Sequence, residues 1–453
     1  METDLSEQLK HLRRRIRRIE RAKPRPLASP QNPSSPQNAA NGYPKYMEDW
    51  PRTKPPPAHL IDDMPLGDPA HYDAEKVLDG EVRENDHGTY FLSERLYPSH
   101  ERHGSMEISH LAELPPDYLL GISRGEIPAT EPGRWAFLDT ETTGLAGGTG
   151  TCAFLVGIGT IDEDGFRVRL FFMRDYDEET AMLTAISDFL AGYDVLVTYN
   201  GKAYDSPLLE TRYRLSRLKF PLERMHHLDL LHGARRLWKQ RLESCRLVDL
   251  EYEILGVERQ GDLPGELIPY YYFEYLKTRQ AFRLVPLLHH NVIDIVSLAC
   301  LTVVVLPAFA SPAEADPPHG ADLMGLARWL RRNGEDETAL ELYRRAIGKH
   351  MSEEYLFSAL WESALIEKKR GNRAAMVGML SDVTEVRNAH QLSAFEELAK
   401  HYEHHAKNYR RALAMTDAAM AIGSSPKLLH RRSRLGGKIE RLQDGQAPSE
   451  LFE

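Results

Sequence analysis

The stretch Trp135-Ala136-Phe137-Leu138-Asp139-Thr140-Glu141-Thr142-Thr143-Gly144-Leu145 decides how the rest of the chain is read. Four apolar residues of strand type run into two carboxylates one residue apart, and the run breaks at a glycine. In an extended strand, residues i and i+2 leave the same face, so Asp139 and Glu141 point into one space. Like charges held that close repel unless a cation lies between them. An all-oxygen ligand set suits Mg2+ or Mn2+ better than zinc. The plain alternative is an acidic strand end at a turn, and the segments downstream separate the two readings.

Residues 133–310 read as an α/β unit. Two strand runs, 152–161 and 166–173, flank Asp162-Glu163-Asp164-Gly165, a strong turn signal. Ala181, Leu183, Ile186, Phe189 and Leu190 make the apolar face of a helix. Val195-Leu196-Val197-Thr198-Tyr199 is a continuous apolar strand of the central kind. Strand hairpins first and strand–helix alternation later predict a mixed sheet flanked by helices, closed by a long apolar helix around residues 289–306.

A two-metal phosphoryl-transfer site needs carboxylates from several elements converging on one spot. Asp205 follows the central strand and a turn at Asn200-Gly201, in the first turn of a predicted helix. There it stands above the sheet edge, or it is a helix N-terminal aspartate favoured by the macrodipole. Asp294 is flanked by Val292, Ile293, Ile295 and Val296, where a charge is costly without a partner. His290 precedes it by four residues on the same helix face. His289 lies about 140° round the helix from Asp294. A histidine beside a bound ion could deprotonate an attacking water, and His290 is the better placed of the two. The competing reading makes either histidine a cap or a satisfied core residue.

These residues resemble a family. Asp139 with Glu141, then Asp205, then His290 with Asp294, are similar in order and element to the three motifs of the DEDD (DnaQ-like) 3′–5′ exonucleases of the ribonuclease H-like fold. The closer resemblance is to the YprB-like subgroup of bacterial ribonuclease H-like proteins. It is carried by residues 140–151 (TETTGLAGGTGT), 197–205 (VTYNGKAYD), His227-Leu228-Asp229-Leu230-Leu231-His232, 265–269 (GELIP) and His290-Asn291, and it covers residues 80–306. It implies an α/β ribonuclease H-like fold and two Mg2+ or Mn2+ ions held by Asp139, Glu141, Asp205 and Asp294. In the histidine-type exonucleases the histidine precedes the last aspartate by five residues, the place of His289 here. In the tyrosine type the spacing is four, so His290 stands where the tyrosine would be.

For the substrate, Arg235, Arg236, Lys239, Arg241 and Arg246 with Trp238 form a basic run that could follow a phosphate backbone, the indole stacking on a base. A helix with a solvated basic face is the competing reading. Thr140, Asn200 and Lys202 sit at the carboxylate edge as further nucleic-acid contacts. The Gly147-Gly148-Thr149-Gly150-Thr151 loop could bring backbone N–H groups to a phosphate. Asp229, at a short strand, reads as structural.

Around this unit, residues 1–57 comprise a basic amphipathic helix (Leu5, Leu9, Leu12, Ile16 and Ile19 between arginines) and a Pro- and Ser-rich linker. Residues 58–132 predict a small β-rich accessory layer with a hairpin about Asp86-His87-Gly88. After a linker at 311–320, alanines recur through 321–440 at a period of about 36 residues, close to the tetratricopeptide length. Residues 441–453 form a tail. The net charge of −10 gives no overall basic excess, so any nucleic-acid binding must be local. Three dispersed cysteines, the lack of an apolar signal segment and apolar runs shorter than a membrane span predict a cytoplasmic protein with no membrane partner.

The expectation is therefore a metal-dependent 3′–5′ exonuclease acting on single-stranded DNA or RNA, with a protein partner on its helical repeats. A structure-selective endonuclease and a non-catalytic nucleic-acid-binding scaffold are the alternatives.

Overall fold

The computed structural model describes residues 74–144, 150–259, 263–349 and 351–443. The N-terminal basic helix and linker, the first part of the accessory segment, Gly147-Gly148-Thr149 and the end of the tail lie outside the described residues. The described chain forms two compact units. One is α/β and takes in residues up to Arg235 and Leu242–Pro312; the other is helical and takes in Arg236–Arg241 and the chain from Ala313 onward.

The α/β unit is built on a seven-stranded sheet in the order β1-β2-β7-β6-β5-β8-β9. The strands are β1 (Gly80–Asn85), β2 (Gly88–Pro98), β5 (Trp135–Thr142), β6 (Ala153–Asp162), β7 (Gly165–Phe172), β8 (Val195–Thr198) and β9 (His226–Asp229). The small strands β3 (Arg102–His103) and β4 (Met106–Glu107) pair apart from it. From β1 to β5 all neighbours are antiparallel, and β5-β8-β9 are parallel. Mixed pairing follows from the connections. The turn at Asp162 is closed by its own carboxylate, which accepts from the backbone N–H of Asp164 and Gly165, while the β5–β8 link passes through a helix and so returns parallel.

The sequence expectation for residues 58–132 needs one correction. Its hairpin forms, with Asn85 opposite Gly88, but it makes no separate layer. β2 pairs along β7, from Phe91 opposite Phe172 to Pro98 opposite Gly165, and extends the same sheet.

Helices α1 (Glu179–Leu190), α2 (Asp205–Leu215), α3 (Leu230–Trp238, which begins in this unit and ends in residues of the helical one) and α4 (Ile268–Thr278) precede the long α5 (Val285–Ala310). β8 is apolar throughout because both its faces are covered; Val195, Leu196 and Val197 have no exposed surface. Helix α5 crosses the sheet with Leu287, Ile295, Val296, Leu298 and Leu301 buried. The stretch Ala281–Ala310 is long and apolar enough to cross a membrane by length and composition, beyond what the sequence reading allowed, yet most of its apolar window is buried as a core helix.

The helical unit carries α6 (Gly320–Arg332), α7 (Asp336–Gly348), α8 (Glu353–Lys369), α9 (Arg373–Thr384), α10 (Gln391–His404), α11 (Tyr409–Ile422) and α12 (Pro426–Gln443), with no strand among its described residues. Small side chains let neighbouring helices close up: Ala327, Ala339, Ala346, Ala364, Ala399, Ala412 and Ala419 are all fully buried. Asn372 and Asn408 cap α9 and α11 in the same way, each accepting from a backbone N–H three residues on.

Candidate functional site

The two carboxylates of β5 share a face, as their spacing requires. Helix α5 supplies the proof: Asn291 Nδ2 donates to Asp139 Oδ2 at 2.8 Å and lies 3.4 Å from Glu141 Oε1. Asn291 is fully buried, and it can lie this close because β6 has a glycine opposite. A Cβ on Gly157 would stand 2.0 Å from Asn291 Oδ1 and 2.2 Å from the Ile295 methyl. Gly157 pairs with Asp139 across the ladder. The missing side chain on β6 thus lets α5 settle onto the carboxylates of β5.

One turn along α5, His290 and Asp294 face the same place. The His290 Nε2 atom lies 3.5 Å from Asp294 Oδ2, and donor atoms of Glu141, His290 and Asp294 all fall within 4.8 Å of one another. His289 is exposed on another side of the helix. Of the two histidines, His290 is the one the fold brings to the carboxylates.

Asp205 is the first residue of α2. Its Oδ1 accepts the Thr140 hydroxyl at 2.5 Å, so the residue between the two β5 carboxylates holds the third one. The turn that delivers Asp205 is shaped by Asp229, which is buried at the end of β9. Its carboxylate accepts from the N–H of Asn200 at 2.8 Å and of Lys202 at 3.2 Å. Asn200 takes a left-handed φ of 66°, which asparagine tolerates better than most residues. Gly201 is required beside it, since a Cβ there would meet Thr198 Oγ1 at 2.5 Å.

Electrostatics show what this convergence costs. Burial, then the charges of Asp294, Glu141 and Asp205, hold the Asp139 carboxyl well above its ordinary range. Burial pushes Glu141 up to about 8, against the opposing pull of His290. Asp205 is pushed up to about 6 by burial, and the Thr140 hydroxyl moderates the rise. Protons raise the stability of such a cluster, and so would a cation. An ordinary glutamate releases its proton near 4.5, whereas Glu141 holds it to about 8. Between those limits the folded chain binds more protons than the unfolded one, so stability falls as pH rises. Metal-stripped protein is therefore expected to melt several degrees lower at about pH 8 than at about pH 5. Saturating Mn2+ should erase that slope and add more stability at the higher pH, measured by thermal melts at each pH.

One residue of the site escaped the sequence reading. Arg259 contacts Asp294 Oδ1 and reaches His290 Nδ1 at 3.4 Å. Its counter-charge is Glu251, which has no exposed surface and sits on a π-turn, Glu251–Leu255. Such turns recur at functional sites because they displace one side chain from the helical repeat. Burial raises Glu251, and Arg259 opposes that rise.

The expected nucleic-acid residues divide. Lys202 and Arg235 are exposed. Arg246 is largely exposed while paired with Asp249 at 2.8 Å. Thr140 and Asn200 are engaged within the site as described, the first through its hydroxyl and the second through its backbone. Trp238 is only 4 % exposed, which corrects the expectation that its ring stacks on a base. Arg236 is part-buried, and Arg241 pairs with the buried Asp322 at 3.0 Å. The basic run thus mixes solvent-facing cations with structural ones.

Comparison with known proteins agrees with this fold. A family model described as the RNase_H superfamily matches residues 136–306, the span from β5 through most of α5. The uncharacterized protein YprB of Bacillus subtilis (strain 168) is 33 % identical over 352 residues, covering 75 % of this chain and 84 % of that protein. Among solved structures, the family B DNA polymerase of the hyperthermophilic archaeon Pyrobaculum calidifontis is similar at 16 % identity and a TM-score of 0.33. That similarity spans 54 % of this chain and 30 % of the polymerase, and it is too loose to carry an argument. With a YprB relative over most of its length and a ribonuclease H-like sheet bearing the carboxylates, the chain belongs to the YprB family of RNase H-like proteins.

Proposed function

We propose that the protein is a metal-dependent 3′–5′ exonuclease that hydrolyses terminal phosphodiesters of single-stranded DNA or RNA. The observation that carries this reading is the convergence of Asp139, Glu141, Asp205 and Asp294. They come from three elements, β5, α2 and α5, and three of them are held above their ordinary proton affinities. Binding alone would not require so costly an arrangement.

The donor set fits divalent cations of the Mg2+ or Mn2+ kind: carboxylate oxygens dominate, and the cluster found among the described residues includes no cysteine. Asp139, Glu141, Asp205 and Asp294 would hold two such ions, which when bound polarise a phosphoryl oxygen and make a water more acidic. The chain's own residues do the rest. Asn291 fixes the carboxylates of β5, Thr140 and Asp229 fix Asp205, and Lys202 and Arg235 present positive charge to the strand. Water attacks the terminal phosphorus in line with the leaving 3′ oxygen, and a nucleoside monophosphate departs.

The test uses 5′-labelled single strands of DNA and of RNA with Mn2+ or Mg2+. A ladder shortening from the 3′ end is expected with at least one of them. A single internal cut would replace the reading with endonuclease action, and no cleavage of any strand would leave a nucleic-acid-binding scaffold.

A further inference from the structure

The end of the helical unit reverses the charge of the molecule. From Glu403 to Arg441, nine lysines and arginines stand against three acidic residues, in a chain whose net charge is −10. Five of the nine, Lys427, Arg431, Arg434, Lys438 and Arg441, recur on α12 at intervals of four and three residues, which sets them in one row along the helix. Leu428 and Leu435 are buried beside that row and seat the helix. Three of the five lean on one buried carboxylate: Glu403 lies 3.3 Å from Arg431, 2.7 Å from Arg434 and 3.0 Å from Lys438. It neutralises one of those three charges. Lys427 and Arg441, at the ends of the row, are exposed. The row is about 21 Å long at the helical rise.

A cavity of about 240 Å3 opens at the end of α10, lined by Lys368, Arg373, Lys400, His401, His404 and His405. Glu397 joins its wall and pairs with Lys368 and Lys400, while Arg373 is exposed at the start of α9. The Nδ1 atom of His401 is buried without a hydrogen-bond partner among the described residues. Burial, then His405 and Arg373, hold that ring below its ordinary range. A cation entering here meets like charge, whereas an anion is attracted. His404 joins the two features: it lines the cavity and lies 3.5 Å from Glu403, the carboxylate under the row.

We propose that this face of the helical unit, the α12 row together with the cavity at the end of α10, binds the phosphate backbone of a nucleic-acid strand. The proposal rests on the nuclease reading only in taking that strand to be the one cut. Cations repeat along the row as phosphates repeat along a strand, so the grip is electrostatic and independent of base sequence. The cavity takes one phosphate, whose oxygens accept from Arg373 and from histidine N–H groups.

Binding of a fluorescent single strand to the full chain, in EDTA and over a series of salt concentrations, tests this. Lys427→Gln/Arg441→Gln should weaken binding about tenfold or more at low salt. It should also flatten the plot of log affinity against log salt by about 1.4, two phosphate contacts at about 0.7 each. Arg373→Gln should flatten it by about 0.7. Neither variant touches the Glu403 pairs, and unchanged thermal melts check that both fold. Arg332→Gln/Arg387→Gln, which removes exposed cations elsewhere in the same unit, should bind as wild type does. Wild-type binding in either of the first two variants overturns the proposal. An equal loss in the Arg332/Arg387 pair overturns it too, because binding would then follow overall charge. So does binding of phosphatidylserine vesicles or poly-glutamate with no strand bound, which hands the face to a membrane or an acidic protein. The two readings fail separately. A chain that cuts with Mn2+ but binds equally without these cations loses only this proposal, and one that binds through them but never cuts loses only the nuclease reading.

Discussion

Replacing Asp139 by asparagine is expected to lower metal-dependent cleavage by about a thousandfold or more, with no loss of stability in metal-free protein at about pH 8. The first part follows from what the carboxylate does for a cation. Loss of one charged oxygen ligand from a site whose ions supply several kcal/mol of transition-state stabilisation costs about 4 kcal/mol, or roughly three powers of ten. The second part follows from the metal-free cluster. Asp139 is held well above its ordinary range by burial and by three other carboxylates, so its ionised form is a burden. Asparagine keeps an oxygen to accept from Asn291 Nδ2, as Asp139 now does. Stabilisation by Mn2+ should shrink in the variant. Thermal melts with and without the ion, run beside the cleavage assay, check both parts. A variant that cleaves normally would remove Asp139 from the site.

The second large effect is on folding. Arg259→Met leaves Glu251 with no exposed surface and without its counter-charge. Removing one partner of a buried ion pair costs about 3–5 kcal/mol, a fall in melting temperature on the order of 10 °C for a domain of this size. The sign of its pH dependence is fixed as well. Burial already raises Glu251, and without the guanidinium its proton is held more firmly still. That contribution to stability is present at low pH and lost as pH rises, so the variant should lose more at about pH 8 than at about pH 5. Restoring neutrality with Glu251→Gln should recover much of the loss. A melting temperature unchanged in Arg259→Met would show that the pair is solvated.

Which parts of this structure were legible in the sequence follows from how local the physics is. β5, β6, β7 and β8 are apolar runs between turn residues, and Asp162 and Gly165 shape their turn unaided, so these strands could be read from their own residues. The same holds for Asp139 with Glu141, and for His290 with Asp294, because strand and helix periods fix which residues share a face. The edge pairing of β2 on β7 was not legible, since nothing local to the hairpin says whether it lies beside a sheet or over one. Trp238 was misread because its cationic neighbours drew the eye. Leu230, Leu231, Ala234, Leu237 and Trp238 form a buried helical stripe, and that spacing was the available signal. Arg259 was missed for a different reason. One partner, Asp294, is 35 residues away, and the other, Glu251, eight residues back, matches no helix or strand period, so only burial gave a hint: a carboxylate between Leu250 and Leu255 raises the same question of a missing partner that Asp294 raised.

The hairpin at the sheet edge bears on where this domain begins as a physical object. The match to the RNase_H superfamily starts at residue 136, yet the sheet starts at Gly80. Phe91 and Leu92 are buried against β7, the Phe91 ring edge-on to Phe172 at 6.3 Å. A fragment trimmed to that match would present β7 as a long apolar rim with its backbone groups unmatched, an invitation to other strands. β1 closes that rim with Glu81, Arg83 and Glu84, charges that foreign strands do not tolerate. A piece that keeps this rim covered therefore begins about fifty residues before the superfamily match does.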